Sequence, residues 1–317
     1  VQTCALPILL GRQRGIALGV GLRHRLGPLD PWQMAAGGIV EAVANVVAVG
    51  ADPDRVALLD NLCWGDTRRP ESLGTLVEAC RACHDVAVAL RAPFVSGKDS
   101  LNNVFAWNDR GTPRERSIPP TLLATAMGQV DDVRRVVTPD LKRAGNRLAV
   151  IGLSRDDLGG SQLERLGIVT GGKVPRVDAA TCRRVFLAVA GAIRSGIVRA
   201  CHDVSDGGLL AALAEMAIGG GLGATIDLAR VPTLLGGGQG RHAELAIAFA
   251  ESPCRFVCEV DADAAARMGE HLGDIPWAWV GEVDDDAVLT VTGTDDAVER
   301  VPVADLARAW RGDAASA

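Results

Sequence analysis

Strand-like apolar runs alternating with helix-like stretches predict an α/β (α+β) fold in two domains for this 317-residue chain. Three observations carry the expectation. The length suits about two domains of ordinary size. Short runs such as "TLLATAMGQV", "RLAVIGL", "RFVCEV" and "AWVGEV" are separated by segments with apolar residues at i, i+3 and i+4. The pattern also resets over Thr138 to Gly145, which puts a boundary near residues 138–146.

In order along the chain, residues 1–25 read as an irregular start. Its "VQTCALPI" offers no partner pattern and suggests a non-native or truncated beginning. Pro31 to Gly50 predicts a helix, with Ile39, Val40, Val43, Val46 and Val47 on one stripe and Gly50 as the stop. Gly37 and Gly38 give that helix a close-packing face. Arg55–Leu59 predicts a short strand ending at Asp60, then the loop "NLCWGDTRRPES". Leu73–Leu90 predicts a second helix with Ser72 as its N-cap. Pro93–Val95 predicts a strand opening into a polar loop, and Thr121–Gln129 another strand. Past the boundary come a buried strand at Arg147–Leu153, the glycine-bearing loop "SRDDLGGSQL" and a helix at Val177–Ser195. A short strand, a glycine loop and a helix from Gly208 to Ile218 follow. Gly236 to Gly240 reads as a flexible loop, and the 303–317 tail as one last short helix. No repeat of 20–50 residues is evident.

Composition narrows the function. A net charge of −6 and a pI near 5.4 imply no basic face, so no nucleic-acid partner is expected. No run reaches the ~18 apolar residues of a membrane span, and the start lacks the cationic lead of a signal peptide. A cytoplasmic protein is the expectation. The eight Cys are expected as buried free thiols, with a metal reading left open for Cys80-x2-Cys83 and Cys254-x3-Cys258. The six Trp are scattered and predict no stacking platform.

Four stretches have chemistry. In "APFVSGKDSLNNVF", a glycine, a cation, a carboxylate and hydroxyls crowd together. Gly97 would let backbone N–H groups approach a phosphate, Lys98 would add positive charge, Asp99 could hold Mg²⁺, and Ser96 or Ser100 could donate to an anionic oxygen. The same composition also fits a polar turn after a strand, and the Walker A spacing is absent. Asp60, at a strand end, suits either a ligand contact or a turn cap. In "CHDVSDGGL", Ser205, Asp206, Gly207 and Gly208 form an anion-loop candidate at a helix start, or a simple cap; His202 reads as a structural hydrogen-bonder. "DLGGSQ" has the composition of a tight turn leading into a helix.

Taken in order, "DPWQMAAGGIVEAVANVVAVGADP", "LLDNLCWGD", "PFVSGKDSLNN", "DLGGSQL", "CHDVSDGGLLAALAEM", "AESPCRFVCEV" and "WVGEV" resemble the second half of the phosphoribosylformylglycinamidine synthase family. That family belongs to the aminoimidazole-ribonucleotide-synthetase-like superfamily, and the resemblance runs from Leu26 to the C-terminus. It implies an AIR-synthase-like N-terminal-type domain over 26–140 and a C-terminal-type domain over 141–302. It implies ATP-dependent amidation: formylglycinamide ribonucleotide, glutamine-derived ammonia and ATP give formylglycinamidine ribonucleotide, ADP and phosphate. Residue by residue it implies ATP contacts at Asp60 and Gly97 and a substrate contact at Ser100. Some relatives place a Mg²⁺-binding Asn where Lys98 stands. An ammonium has no lone pair to give a cation, so Asp99 becomes the metal candidate and Lys98 a phosphate partner.

The implied partners are the missing N-terminal half of the synthase, a glutaminase subunit or domain, and the ribonucleotide. None of His24, His84, His202, His242 or His271 lies in a motif matching the family's catalytic histidines, so no catalytic residue is expected here. Two alternatives stand beside this reading: a non-catalytic half that holds a nucleotide and scaffolds the pseudo-dimer, and a stand-alone ATP-using homodimer of the same superfamily.

Overall fold

The computed structural model describes residues 5–7, 11–235 and 240–313. Residues 236–239 of the expected flexible loop, and 314–317 of the tail, lie outside them.

The first domain is a five-stranded sheet with helices on one face. Its elements are β1 (Ala5–Pro7), β2 (Gly15–Leu22), α1 (Pro31–Ala48), β3 (Val56–Cys63), α2 (Pro70–Leu90), β4 (Phe94–Ser100), β5 (Val104–Asp109), β6 (Thr112–Ser117) and β7 (Thr121–Val130). The sheet order is β1-β2-β7-β3-β4, and β5 and β6 form a separate hairpin. All neighbours in the sheet are antiparallel except β3 and β4, whose parallel pairing needs the α2 crossover.

Several expectations change here. The irregular start is not irregular over Gly15–Leu22, which pairs along its whole length with β7, nor over Ala5–Pro7, which pairs with Gly15–Ala17. Period-2 alternation in "GIALGVGL" is hidden because its inward positions are glycine and alanine. β3 runs three residues past Asp60, so Asp60 lies within a strand rather than at its end. The polar loop expected after Val95 is β4 itself: nearly every side chain on this edge strand is exposed, so no apolar alternation marks it. α2 starts at Pro70, not after a Ser72 cap. Proline suits the first helical position because its missing N–H would be unpaired there anyway, and the Ser72 carbonyl instead accepts from Thr75 Oγ1 at 2.7 Å.

α1 forms as its sequence suggests. The Asp30 side chain accepts from Gln33 N at 3.0 Å and Pro31 opens the helix. It lies against β2 where Gly21 faces Gly38; a Cβ on Gly21 would run into the Gly38 carbonyl.

The second domain contains β8 (Arg147–Ile151), β9 (Ser154–Arg155), α3 (Gln162–Arg165), α4 (Ala179–Arg194), β10 (Val198–Asp203), α5 (Gly208–Gly220), β11 (Gly223–Asp227) and β12 (Thr233–Leu234). It continues with α6 (Arg241–Phe249), β13 (Phe256–Val260), α7 (Met268–Leu272), β14 (Trp277–Asp284), β15 (Val288–Thr292), β16 (Val298–Pro302) and α8 (Val303–Arg311). Its seven-stranded sheet runs β10-β13-β8-β14-β11-β15-β16. One face packs on α4 and α7, the other on α5, α6 and α8.

The domains share a core. Val185, Phe186, Val189 and Ile193 of α4 bury into one cluster with α1, α2 and the second sheet's Phe256. Polar links reinforce it: Gln33 Oε1 accepts from Val177 N at 2.9 Å, and Arg183 donates to the Leu90 carbonyl at 2.7 Å and pairs with Asp54. The 138–146 connection is fastened by the fully buried Glu259, whose carboxylate accepts from Lys142 N (2.8 Å), Arg143 N (3.1 Å) and Asn146 Nδ2 (2.6 Å).

The seven described cysteines are free thiols, and no cluster of three metal-ligating side chains occurs among the described residues. Cys80 is exposed rather than buried, and Cys254 lies before β13 at positive φ, so it shares no strand face with Cys258. Among the described residues no helix is long and apolar enough to cross a membrane.

The β2–α1 contact leaves no room for a methyl group. Gly21→Ala should lower stability by about 3 kcal/mol, read as a shift in the urea unfolding midpoint; an unchanged midpoint would show that α1 can lift off without cost.

Candidate functional site

Two places gather the chemistry, one on the β3–β4 edge and one between the domains. On the edge, register sets the geometry. Asp60 pairs with Gly97, Asn61 with Lys98, Leu62 with Asp99 and Cys63 with Ser100. Successive strand residues point to opposite faces. Asp60, Gly97 and Asp99 therefore share the sheet face on which α1 packs further in, with Gly97 and Asp99 exposed at the edge, while Lys98 and Ser100 share the other.

The Asp60 carboxylate leans directly over Gly97, in the space where a Cβ would stand. Burial raises the Asp60 pKa, and the neighbouring Asp99 adds to it. These two carboxylates, diagonal neighbours on adjacent strands, are a hard-oxygen pair of the kind that suits a divalent cation. On the opposite face the Lys98 ammonium donates to the Ser100 hydroxyl. The base of this strand is fixed by the buried Trp64: its backbone N donates to the Ser100 carbonyl at 2.9 Å, and its indole donates to Thr75 Oγ1 at 2.9 Å.

The open sheet face carrying Lys98 and Ser100 is apolar toward β2 and β7, where Leu18, Leu22 and Met127 stand exposed. Beyond Ser100 the β5–β6 hairpin projects into solvent with Phe105 stacked on Trp107, centroids 5.5 Å apart. Trp107 is thus part of a small aromatic pair, contrary to the expectation of scattered tryptophans.

Between the domains the arrangement is different. By sequence the Ser205–Gly208 loop is either an external-anion site or a simple helix cap. Its Gly207 N–H instead donates to the Glu251 carboxylate at 3.1 Å, and Gln162 N donates to the same oxygen at 2.8 Å. A buried internal carboxylate thus sits at the start of α5. Neither Ser205 nor Asp206 caps that helix: the Ser205 hydroxyl turns to Asp203, and Asp206 pairs with Arg23 at 3.2 Å and Arg25 at 3.5 Å. His202 is held by the Asp203 carbonyl and by Glu215 at 2.9 Å, a structural role as expected.

Arg23 lies at the centre of this cluster. Its guanidinium donates to the Glu251 backbone carbonyl and pairs with the Glu251 carboxylate, both at 3.1 Å. Burial alone would lower its pKa; the field of Glu41, Glu251, Asp206 and Asp203 outweighs that and leaves it raised. Glu41, in the middle of α1, is pushed up to about 7, chiefly by burial and against the pull of Arg23. The space left among Arg23, Glu41, Asp203 and Ser205 is a cavity of about 20 Å³, room for roughly one water.

Pointers to these residues in the sequence are weak. Glu41 is a lone carboxylate amid "GGIVEAVANV", a signal for a buried acid. Arg23 and Arg25 sit in "GLRHRLG", a segment with no pattern, and Glu251 lies in the motif "AESPCRFVCEV", which gave the residue no role of its own.

A two-domain α/β chain, with carboxylates, a lysine and a serine gathered on the edge of its first sheet, defines the class. The match to known proteins is more specific. Residues 13–130 match the family model described as AIR synthase related protein, N-terminal domain, and residues 143–294 the corresponding C-terminal domain. The chain belongs to the AIR synthase related family.

Among its relatives, the phosphoribosylformylglycinamidine synthase subunit PurL of Thermococcus sibiricus is 35% identical over 90% of this chain and 37% of its own length. That of Deinococcus radiodurans is 33% identical over 95% of this chain and 39% of its own. The chain therefore spans about two fifths of these relatives. The fold is likewise similar to Thermotoga maritima PurL complexed with FGAR, with a TM-score of 0.78 at 21% identity over 96% of this chain and 48% of that one. Escherichia coli HypE, a hydrogenase maturation protein, is similar at a TM-score of 0.64 and 18% identity, over 91% of this chain and 85% of that one.

Two predictions follow from the interdomain cluster. Arg23→Met strands a buried carboxylate and should cost about 3–5 kcal/mol in urea unfolding; adding Glu251→Gln should recover part of the loss. Because the folded-state pKa of Glu41 is raised, its contribution to stability is lost as pH rises through about 7. The melting temperature should fall as pH rises from about 4.5 to about 7 and level off above that, and Glu41→Gln should flatten that slope.

Proposed function

We propose that this chain is the C-terminal half of an ATP-dependent amidoligase. It converts formylglycinamide ribonucleotide, ammonia drawn from glutamine, and ATP to formylglycinamidine ribonucleotide, ADP and phosphate. The observation that carries the reading is the Asp60–Gly97 pairing on an open strand edge, in a chain whose two domains match the family models in order. It is supported by relatives named phosphoribosylformylglycinamidine synthase subunits and by solved PurL structures described as complexed with FGAR, ADP and ATP.

In this reading Asp60 accepts a hydrogen bond from the nucleotide, and Gly97 keeps that carboxylate in place by having no side chain. Asp99, beside Asp60, would hold Mg²⁺, which when bound neutralises phosphate charge. Lys98 cannot ligate the metal and lies on the other face with Ser100, where its charge and the hydroxyl serve an anionic substrate. The exposed apolar face around Leu18, Leu22 and Met127 is where the other half of the synthase packs. Lys98 and Ser100 would then line the seam between halves, so the ribonucleotide site is completed only in the whole protein. A glutaminase subunit or domain supplies the ammonia.

The reading that this half holds a nucleotide without turnover is favoured by one observation, Lys98 in place of a cation ligand. Thermal unfolding with ATP·Mg²⁺ tests nucleotide binding in both readings. The melting temperature should rise by several degrees at saturating nucleotide. Gly97→Ala should abolish the rise because the new Cβ displaces the Asp60 carboxylate, and Asp99→Asn should reduce its Mg²⁺ dependence. No rise in the unsubstituted chain, or an equal rise in Gly97→Ala, refutes the site. Turnover on adding the separately produced N-terminal half and ammonia decides between the two readings.

A further inference from the structure

We propose that the cleft between α6 and the loop of residues 166–173 is a binding site for a small organic anion, a phosphate ester or carboxylate carrying an apolar body. It lies within the second domain and is separate from both places described above. The cavity holds about 540 Å³, within the roughly 300–1,000 Å³ of small-molecule sites.

Its wall is apolar, from Leu158, Ile168 and Leu245, and its polar groups converge from two elements. Lys173 comes from the loop; Arg241 and His242 come from the first turn of α6. Asp156 is the one acid in the lining, and both its oxygens are engaged: one with His242 Nε2 at 2.8 Å, the other with Lys173 Nζ at 3.2 Å. Among the described residues Arg241 has no carboxylate partner, so the cleft keeps net positive charge.

The start of α6 adds to it. Gly240 precedes the helix, and no side chain among the described residues caps its first N–H groups. A helix N-terminus with an adjacent cation attracts an anion. The cleft is also held in shape rather than formed by loose loops. The Glu164 carboxylate accepts from Gly160 N at 2.6 Å and Gly171 N at 3.1 Å, and Gly159 N donates to the Lys173 carbonyl at 2.8 Å. The polar end therefore suits one anionic head group, and the wall behind it suits an aromatic or aliphatic body.

Titration calorimetry on the 317-residue chain tests this with phenyl phosphate, benzoate, inorganic phosphate and benzyl alcohol as probes. One of the two aromatic anions should bind saturably at one site. Inorganic phosphate and benzyl alcohol should each bind about tenfold more weakly, since each lacks one half of the recognition. Arg241→Gln and Leu245→Ser should each weaken binding by about tenfold, with melting curves confirming that both are folded. Binding should persist in Gly97→Ala. No saturable binding of either aromatic anion, unchanged binding in both cleft variants, or loss of binding in Gly97→Ala overturns the proposal.

Discussion

One buried guanidinium fixes how the two domains of this protein meet. Arg23 leaves the end of β2 and enters the second domain, where Glu251 and Asp206 hold it. Glu251 is itself pinned by the N–H groups of Gly207 and Gln162, so the charge network fastens the first sheet to the starts of α5 and α3. A charge buried this deeply is tolerable only with close partners, and the partners come from both domains. The α1–α4 packing supplies the apolar area of the contact; Arg23 supplies its orientation. It also fills the space between Glu41 and Asp203, leaving room for little more than a water.

The consequence is a division of labour between two polar regions. In the interdomain cluster the guanidiniums of Arg23 and Arg25 are paired with Glu251 and Asp206, and the helix N-terminus is occupied by an internal carboxylate. The β3–β4 edge has no such internal closure. There a parallel pairing sorts four polar residues and a glycine onto two faces, Asp60, Gly97 and Asp99 on one, Lys98 and Ser100 on the other. Carboxylates that would bind a cation and groups that would bind an anion are thereby kept on opposite sides of one strand. In a loop the same residues could have met in a single pocket and cancelled.

Much of the fold was legible because it rests on local signals. α1 announces itself through its apolar stripe, whereas the aspartate caps Asp30 and Asp178 that open α1 and α4 show only in the structure. β7 and β13 are apolar enough to read as strands. β2 was not legible, and β4 was legible only at its start, where Pro93–Val95 reads as a strand; the physical reasons are opposite. β2 presents glycine and alanine inward so that α1 can approach, which erases the apolar alternation. β4 is exposed along most of its length, so nothing in its side chains distinguishes a strand from a turn. The candidate residues Asp60, Gly97, Lys98, Asp99 and Ser100 could be named from motif order, but their sorting onto faces required the register.

What the sequence determined by itself was the class of the fold, the order of most elements and the residue types that any site on β3 and β4 would have to use. These follow from periodicity, capping and glycine placement, which act within a few residues. Only the tertiary structure decided that Glu251, 44 positions from Gly207, would occupy the loop that looked ready for an external anion, and that Arg23, 228 positions from Glu251, would neutralise it. Those pairings depend on where distant segments meet. The energy of a buried charge is set by its neighbours in space, and no local pattern records them.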